Sequence, residues 1–315
     1  MSSIVRKALV CLRGKRHYDY PQLSFDVSDP VVVQQMIFDR LASDNPCMIA
    51  RLGSVELQGV VDYLCQPSLM NAIRFIDGEI PAFGFAPSTQ KTMNINAGFF
   101  PPTRKMLNAF GELMLSCLPQ VDILGSWRKE ENYISSYLSK AIRVPLYTLE
   151  PYYFDNPWTP VLEGKKVLVI HPFEDSIKRQ HEIGIYDNLF VDKRLTPSYE
   201  LHIIKAVQSI AGNKPSNFEN WFDALDWMKK QIDIVDFDIA IIGCGAYGFP
   251  LAAYIKQIGK KAIHLGGAVQ NLFGIRSLGS EKDKRFSKIM NSYWIRPSDT
   301  ETPPNFRLVE NGLYW

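Results

Sequence analysis

Short runs of apolar residues alternate along the chain with longer segments whose apolar residues recur every three or four positions. The runs are typical of strands buried on both faces, and the periodic segments predict helices with one face packed inward. The predicted strands are residues 47–51, 121–124, 143–149, 167–170, 200–207, 239–242 and 261–265. The predicted helices are residues 30–42, 55–65, 102–118, 130–142, 177–183, 217–232 and a segment that begins near Phe249. This alternation predicts an α/β, Rossmann-like fold with a mostly parallel sheet and helices on both faces.

A glycine-rich turn follows the strand 239–242 and precedes a helix. Backbone N–H groups at such a helix N-terminus bind phosphate. The spacing Gly243, Gly245, Gly248 also matches the dinucleotide fingerprint, which needs an acidic residue about 20 positions later to hold the ribose. That place holds His264, so no NAD is expected. Phosphate or nucleotide contact, a dinucleotide site and close helix packing remain as three interpretations. The candidates for nucleotide contact are Gly243, Gly245, Ala246, Tyr247 and Gly248, joined by Gly266, Gly267 and Gln270 after the next strand.

Composition narrows the class of protein. The chain has 315 residues, 46% of them hydrophobic, which is ample for a large core, and 22% charged. A net charge of +2 argues against a nucleic-acid binder, which would show a strong basic excess. The five cysteines are scattered without a CxxC pair, so we expect buried thiols in a reducing, cytoplasmic compartment. The histidine spacing does not support a zinc site.

The N-terminus and the C-terminus set the expected boundaries. Residues 1–29 form a basic segment whose first part is an amphipathic helix without acidic residues. Such a helix either lies on an anionic membrane surface or docks on the body of the protein. We expect an N-terminal α/β half at 30–160, a C-terminal α/β half at 161–279, and a tail, 280–315, that packs back on the body. The aromatic segment 152–159 suits either ligand stacking or packing between the halves.

Four turns should meet in one crevice, because ligands in open α/β sheets gather at the carboxyl ends of the strands. They are residues 51–56, 171–174, 243–248 and 266–270. The first brings Arg51 and Glu56 together and places Gly53 and Ser54 at the start of a helix, where both are further candidates for nucleotide contact and Ser54 is the predicted cap. The second contributes His171. A carboxylate, a histidine, an arginine and two glycine-rich surfaces suit a phosphate-bearing ligand with a proton transfer beside it.

Two segments carry a resemblance to a known family. IARLGSVELQ resembles the arginine, glycine and glutamate signature of the GT-D type glycosyltransferases, and DIAIIGCGAYGFPLAAYIKQIGKKAIHLGGAVQNLFGI resembles their later strand–helix–strand unit. The resemblance covers residues 47–64 and 165–275. It implies a Rossmann-like fold and transfer of a sugar from a nucleotide-sugar donor to a glycan acceptor.

The same resemblance implies a divalent metal, Mn²⁺ or Mg²⁺, held at an Asp-x-Glu motif. This chain has Ser54-Val55-Glu56 there, and serine is a poor ligand for these ions. Glu56 is therefore the one metal ligand that the motif offers, and metal dependence stays open. In the absence of a metal, Arg51, His171 and the backbone of the glycine turn would neutralise the departing diphosphate.

These features lead to one functional hypothesis with two alternatives. We expect a cytoplasmic glycosyltransferase of the hexosyltransferase type in polysaccharide biosynthesis. Its partners would be a nucleotide-diphosphate sugar and a glycan or lipid-linked acceptor, with peripheral contact to the inner face of the membrane and no nucleic acid. Glu56, Arg51 and His171 would be the catalytic residues. The alternatives are an NAD(P)-dependent oxidoreductase and a non-catalytic nucleotide-sugar-binding protein of the same fold.

Overall fold

The protein is built on one seven-stranded parallel sheet in the computed structural model, which describes residues 3–182 and 186–315. The strands are β1 (Cys47–Ala50), β2 (Ile123–Ser126), β3 (Ile142–Pro145), β4 (Lys166–His171), β5 (Glu200–Lys205), β6 (Ile239–Ile242) and β7 (Lys261–His264). Their order is β3-β2-β1-β7-β6-β4-β5, and every neighbouring pair is parallel. The predicted α/β, Rossmann-like fold is confirmed.

Helices connect and cover these strands. They are α1 (Ser3–Arg13), α2 (Pro30–Ala42), α3 (Ser54–Leu64), α4 (Leu69–Ile76), α5 (Pro87–Ile95), α6 (Arg104–Cys117), α7 (Glu174–Glu182), α8 (Trp221–Asp233), α9 (Gly248–Gln257), α10 (Val269–Leu272) and α11 (Leu278–Lys282). α2 begins as its sequence predicts, because the Asp29 carboxylate accepts a hydrogen bond from the backbone N–H of Val31 at 2.9 Å.

The strand order creates a switch point in the middle of the sheet. The chain steps outward from β1 through β2 to β3, and in the opposite direction from β4 to β5, while β6 and β7 fill the space between. β7 pairs with β1 through Met48 and Ala262, so the segments 30–160 and 161–279 share one continuous sheet. Ligands in such sheets bind where the connections diverge, outside the carboxyl ends of the strands.

Both faces of the sheet are buried, which explains the continuous apolar runs. In β1, Met48 and Ala50 belong to one hydrophobic cluster, whereas Cys47 and Ile49 belong to the cluster on the opposite face. This alternation is the two-residue period of a strand, and because both sides are covered it leaves no polar side in the sequence.

Two helices lie in the stretch 67–102, where the sequence pattern predicts neither a helix nor a strand. α4 starts after Ser68, whose hydroxyl accepts from the backbone N–H of Asn71 at 3.0 Å. α5 begins at Pro87, a residue well suited to a first helical turn. Both helices are short and are separated by glycine and proline, so their apolar periodicity is too brief to be recognised.

Several predicted boundaries are wrong. Residues Lys129–Leu138 form a 3₁₀ helix instead of an α-helix over 130–142. The strand predicted over 143–149 is the shorter β3, an edge strand that ends at Pro145, where proline cannot continue the ladder. α7 begins before residue 177, at Glu174, and its predicted end at Ile183 lies outside the described residues. Ser54 is the first residue of α3, and its predicted capping position is taken by Gly53.

The C-terminal residues pack on the body as expected. Trp294, Val309 and Trp315 are buried in the core cluster that also covers β1 and β4. The buried carboxylate of Glu301 accepts hydrogen bonds from both the backbone N–H and the hydroxyl of Ser176 in α7. These contacts bring the end of the chain to the carboxyl edge of the sheet.

The N-terminal helix lies on the surface and contacts the body. Arg6 donates to the backbone carbonyls of Phe83 and Gly84 at 3.0 and 3.2 Å. Four cysteines are buried thiols as expected, but Cys11 is exposed because α1 turns that side outward. Within residues 3–182 and 186–315, no helix combines the length and apolar character needed to cross a bilayer.

Candidate functional site

A cavity of about 230 Å³ opens at the carboxyl ends of β1, β4, β6 and β7, where the sheet changes direction. Its walls come from the turn after β1, the N-terminus of α3, the turns after β4, β6 and β7, and the C-terminal segment. The predicted residues that line it are Arg51, Gly53, Ser54, Glu56, His171, Gly243, Gly245, Tyr247, Gly266, Gly267 and Gln270. The structure therefore brings together nearly all the residues that the sequence singles out.

Arg51 supplies the positive charge of the cavity. Its guanidinium lies 5.2 Å from the centre of the Trp127 ring, a cation–π contact that orients it. Trp127 is held in turn, because its indole N–H donates to the carbonyl of Leu52 at 3.0 Å. The buried carboxylate of Glu131 accepts from the backbone N–H groups of Trp127 and Arg128 at 3.1 and 3.2 Å. This loop gives the arginine a fixed wall.

The N-terminus of α3 faces the same cavity. The N–H groups of a first helical turn have no partner within the helix, and they carry the positive end of its dipole. Glu56 is the third residue of α3, and its carboxylate folds back over Gly53, where an added Cβ would lie 1.9 Å from Oε2. Gly53 is thus needed for the position of Glu56.

The carboxyl of Glu56 has a pKa above its usual range. Burial is the main cause, and the repulsion of Glu310 adds to it, whereas its own backbone N–H and Arg51 pull the pKa down. A carboxyl whose pKa moves toward neutrality accepts a proton more readily, which is the property of a general base.

His171 is a neutral hydrogen-bonding group at this site. Its Nδ1 accepts from the backbone N–H of Phe173 at 3.0 Å, so the ring proton sits on Nε2. Burial lowers the pKa of His171 to about 3. Its Nε2–H can therefore donate a hydrogen bond to a phosphate oxygen. His171 would then stabilise the negative charge of the departing diphosphate as a neutral donor and not as a cation.

His264 occupies the position where a dinucleotide site would have its acidic residue. Its ring Nδ1 donates to the carbonyl of Ile242 at 3.1 Å, and burial lowers its pKa to about 3. A buried neutral imidazole bonded to the backbone cannot replace a carboxylate that grips ribose hydroxyls. The absence of a dinucleotide site therefore stays a prediction, and calorimetry with NAD(P) tests it.

The glycine turn after β6 contributes backbone to the cavity, but two of its five predicted contact residues do not line it. Gly243 is required by packing, since a Cβ there would meet the carbonyl oxygen of Gly266 at 2.6 Å. Gly245 has a φ of +57° and open space in front of it. Ala246 and Gly248 were expected to contact nucleotide, but Ala246 is buried away from the cavity and Gly248 packs on His264, with 2.2 Å from its ideal Cβ to Cε1.

The turn after β7 connects the cavity to the end of the chain. Gly266 has a φ of +62° and faces Arg51, whose Nη1 would lie 3.5 Å from an added Cβ. The side chain of Gln270 donates to the carbonyls of Ile275 and Tyr314 at 3.2 and 3.4 Å. Gln270 therefore holds the C-terminal segment in place and also lines the cavity.

Several residues that line the cavity are not among those that the sequence predicts. Trp127 follows β2 and Ser209 follows β5. Both lie beyond the carboxyl end of a strand, as Arg51 and His171 do, so the same position in the sequence would predict them. Ser209 donates to the carbonyl of Gly98 at 2.6 Å and contacts the Tyr247 hydroxyl at 2.9 Å. The C-terminal segment also contributes lining residues, Glu310, Tyr314 and Trp315, and nothing in its local pattern indicates this.

The residues present do not form a metal site by themselves. Within the described ranges, no group of three or more His, Cys, Asp or Glu side chains is arranged to hold a metal ion. Ser54 stands at the position where the resembling family has its aspartate, and its hydroxyl is a weak ligand for Mg²⁺ or Mn²⁺. The donor set therefore does not fit the metal that the resemblance implies.

Comparisons with known proteins found no matching family model, no matching curated protein and no matching solved structure.

Proposed function

We propose that the protein is a glycosyltransferase of the hexosyltransferase type that uses a nucleotide-diphosphate sugar, with a role in polysaccharide or glycan assembly. One observation carries this proposal. Arg51, the N-terminus of α3 with Glu56, and the Gly243–Gly245 backbone face one cavity at the switch point of a parallel sheet. Helix N-termini, glycine-rich backbone and arginine are the groups that bind a diphosphate.

The chemistry follows from how these groups are arranged. The diphosphate would be bound by Arg51, the glycine turn and the first-turn N–H groups of α3 other than that of Glu56, which its own carboxylate already engages. Glu56 would accept the proton of an acceptor hydroxyl as its oxygen bonds to the anomeric carbon. The bond between that carbon and the diphosphate oxygen breaks, and the nucleotide diphosphate leaves with the bonding electrons. The uncharged N–H of His171 would stabilise the negative charge that develops there.

A transfer assay tests the proposal. The protein is incubated with a panel of nucleotide-diphosphate hexoses and an array of glycan acceptors, and nucleotide diphosphate release is measured. Glu56→Gln should lower kcat by about 100-fold or more while the donor still binds, because only the proton transfer is removed. Glu219→Gln, an exposed carboxylate outside the cavity, is the matched control.

The rival functions predict different results in that assay. Full activity of Glu56→Gln would contradict the role of this residue. Donor binding without turnover on any acceptor would favour the non-catalytic binding protein. Reduction of NAD(P), together with tight binding of that cofactor, would favour the oxidoreductase.

We also propose that the protein acts in the cytoplasm at the inner face of the membrane. α1 and α4 pack together and present large exposed apolar side chains, among them Leu12, Leu69 and Met70, with exposed fractions of 61%, 83% and 65%. Residues 1–16 contain five arginines and lysines and no acidic residue. Apolar side chains beside basic ones are the combination that binds an anionic lipid surface.

A further inference from the structure

The end of the chain closes one side of the cavity at the switch point. The residues that line this side are Val309, Glu310, Tyr314 and Trp315, and none of them has a part in the transfer described above. Val309 and Trp315 belong to the core, with exposed fractions of 1% and 5%. Glu310 and Tyr314 are exposed instead, so they lie where the cavity opens to solvent. Core packing therefore does not account for these two side chains.

The backbone that carries Tyr314 is firmly held. The carbonyl of Leu313 accepts a hydrogen bond from the backbone N–H of Gly279 at 2.9 Å. The carbonyl of Trp315 accepts from the guanidinium of Arg296 at 2.8 Å. Because the residues on both sides are fixed, the position of the Tyr314 ring is largely set before a ligand binds. A preorganised side chain of this kind loses little conformational entropy on binding.

The Tyr314 ring packs against the backbone of the turn after β7 and lines the cavity. An added Cβ on Gly267 would be 2.9 Å from Cε1 of the ring, so glycine is needed there to leave room for it. Tyr314 nevertheless remains 36% exposed. An aromatic surface with a few polar groups beside it is typical of a ligand pocket, and here the polar neighbours are Arg51 and Glu310.

The Glu310 carboxylate lies beside the Tyr314 hydroxyl, with 3.4 Å between Oε2 and Oη. Burial raises the pKa of Tyr314 to about 12, and the charge of Glu310 adds to the rise. Burial also raises the pKa of Glu56, and the charge of Glu310 adds to that rise as well. Glu310 therefore faces the part of the cavity where Glu56 is proposed to act. Its backbone has a φ of +47°, a conformation that is rare outside glycine and is concentrated at functional sites.

The charges in this part of the cavity favour a neutral group that carries hydroxyls. Among the described residues, the charged side chains that line the cavity are Arg51, Glu56 and Glu310, while His171 and His264 are neutral. In the proposed function the positive charge of Arg51 is taken up by the diphosphate. A further anionic group would then meet the carboxylate of Glu310, whereas a hydroxyl group can donate a hydrogen bond to it.

We propose that Glu310 and Tyr314 form the subsite for the hexose of the donor. This subsite rests on the proposed function and adds the residues that select the sugar. Glu310 accepts hydrogen bonds from hexose hydroxyls, and the Tyr314 ring packs against the C–H face of the sugar. The anomeric carbon is then held between the diphosphate at Arg51 and the carboxyl of Glu56, and the nucleoside lies outside the subsite.

The test compares free nucleoside diphosphates with their hexose conjugates. Isothermal titration calorimetry uses UDP, GDP and dTDP, and the glucose, galactose and mannose conjugates of each. Glu310→Gln and Tyr314→Leu should each weaken binding of the conjugate about 10-fold and change binding of the free nucleoside diphosphate less than about 2-fold, because only contacts with the hexose are removed. Tyr314→Phe keeps the ring and should restore most of the affinity that Tyr314→Leu loses.

Matched controls and a folding check keep the result decisive. Glu219→Gln and Tyr293→Leu change exposed residues outside the cavity and should bind both kinds of ligand normally. If thermal unfolding shows that Tyr314→Leu does not fold, Glu310→Gln decides alone, since its side chain is exposed. Equal weakening of free and conjugated ligands, or no weakening of either, overturns the hexose subsite and leaves the donor site of the unmodified protein standing. If the unmodified protein binds no nucleoside diphosphate in either form, the proposed function falls, and the subsite falls with it.

Discussion

Glu56 is held in a position that costs the folded protein free energy at neutral pH. Its carboxyl is folded over Gly53 and desolvated, so its pKa is higher in the folded state than in the unfolded chain. Between those two pKa values the folded state binds more protons, and stability therefore falls as the pH rises through that window. A functional group at a cavity wall is a common place for such a cost.

Replacing this carboxylate should therefore stabilise the protein. Glu56→Gln cannot ionise, so its Tm at pH 8 should exceed that of the unmodified protein by about 2 °C, with a smaller difference at pH 4. Thermal unfolding followed by circular dichroism at both pH values measures this. An equal shift at pH 4 and pH 8, or a lower Tm at pH 8, would contradict the assigned environment, and Glu219→Gln serves as the exposed control.

The burial of His171 predicts the opposite pH dependence of stability, which should fall as the pH becomes acid. Its pKa is about 3 in the folded state, against about 6.5 in an unfolded chain. The unfolded state binds the proton first, so stability is full above pH 6.5 and is lost as the pH falls toward 3. Between pH 7.5 and pH 5 this one residue should account for a loss of about 2 kcal/mol in the free energy of unfolding.

Urea unfolding of His171→Asn at these two pH values measures the effect. The asparagine Oδ1 takes the place of Nδ1 and still accepts from Phe173, so packing changes little. The loss on acidification should be about 2 kcal/mol smaller than in the unmodified protein. His17→Asn changes an exposed histidine whose partner, Asp19, is exposed too, and since such surface pairs contribute little it should change the loss far less. If His171→Asn loses as much stability on acidification as the unmodified protein, His171 is not buried as a neutral ring.

At the scale of elements, the turn after β6 packs against the turn after β7 at Gly243 and lines the cavity at Gly245. Gly243→Ala would push a methyl group against the Gly266 carbonyl, with 2.6 Å between Cβ and oxygen. We expect it to lower the free energy of unfolding by about 3 kcal/mol. Gly245→Ala has room, the nearest atom being 4.0 Å away, and its positive φ should cost about 1 kcal/mol.

Urea denaturation of the two variants, beside nucleotide-diphosphate binding to Gly245→Ala, measures this difference. The added methyl at residue 245 faces the cavity and should weaken binding while the fold is retained. Equal destabilisation by the two substitutions would show that the turns do not interlock in this way.

The sequence predicts the strands well because each is buried on both faces and so reads as a continuous apolar run. Arg51 and His171 were found because they directly follow such runs. The same logic fails for Glu310 and Tyr314, which reach the cavity through contacts of the C-terminal segment with distant residues such as Gln270. Long-range contacts of this kind leave no periodicity in the local sequence.

Helix α4 is a second feature that the local sequence pattern does not predict. It is only eight residues long and lies between Pro67 and Gly78, so its apolar periodicity is too brief to be recognised. Local pattern therefore predicts neither a helix nor a strand there, and tertiary packing of Phe75 determines the helix. Gly248 is a related case, because its spacing suggests a phosphate contact whereas its neighbour is the His264 ring.

At the scale of the whole molecule, the proposed membrane face lies on helices outside the sheet. Leu69→Ser combined with Ile73→Ser removes two apolar side chains with exposed fractions of 83% and 51%. Co-sedimentation with anionic phosphatidylserine-containing vesicles should fall at least about 10-fold, since roughly 2 kcal/mol or more of apolar transfer is lost. The free energy of unfolding should hardly change, because neither side chain is buried.

Ile234→Ser is the matched control, since Ile234 is 78% exposed and lies on a different surface element. It should bind the vesicles like the unmodified protein, and neutral phosphatidylcholine vesicles should bind all three proteins weakly. Unchanged sedimentation of the double variant would remove α4 from the membrane face.

Arg51 is proposed to hold a nucleotide diphosphate in the cavity at the sheet switch point, and every other functional assignment depends on this contact. Isothermal titration calorimetry with nucleotide-diphosphate hexoses and NAD(P) tests it directly, on the unmodified protein, on Arg51→Ala and on Arg179→Ala, an exposed arginine outside the cavity. We predict binding of at least one nucleotide-diphosphate hexose, weakened 10-fold or more by Arg51→Ala, unchanged in Arg179→Ala, and no binding of NAD(P). Tight binding of NAD(P), or binding of no nucleotide diphosphate at all, would contradict it.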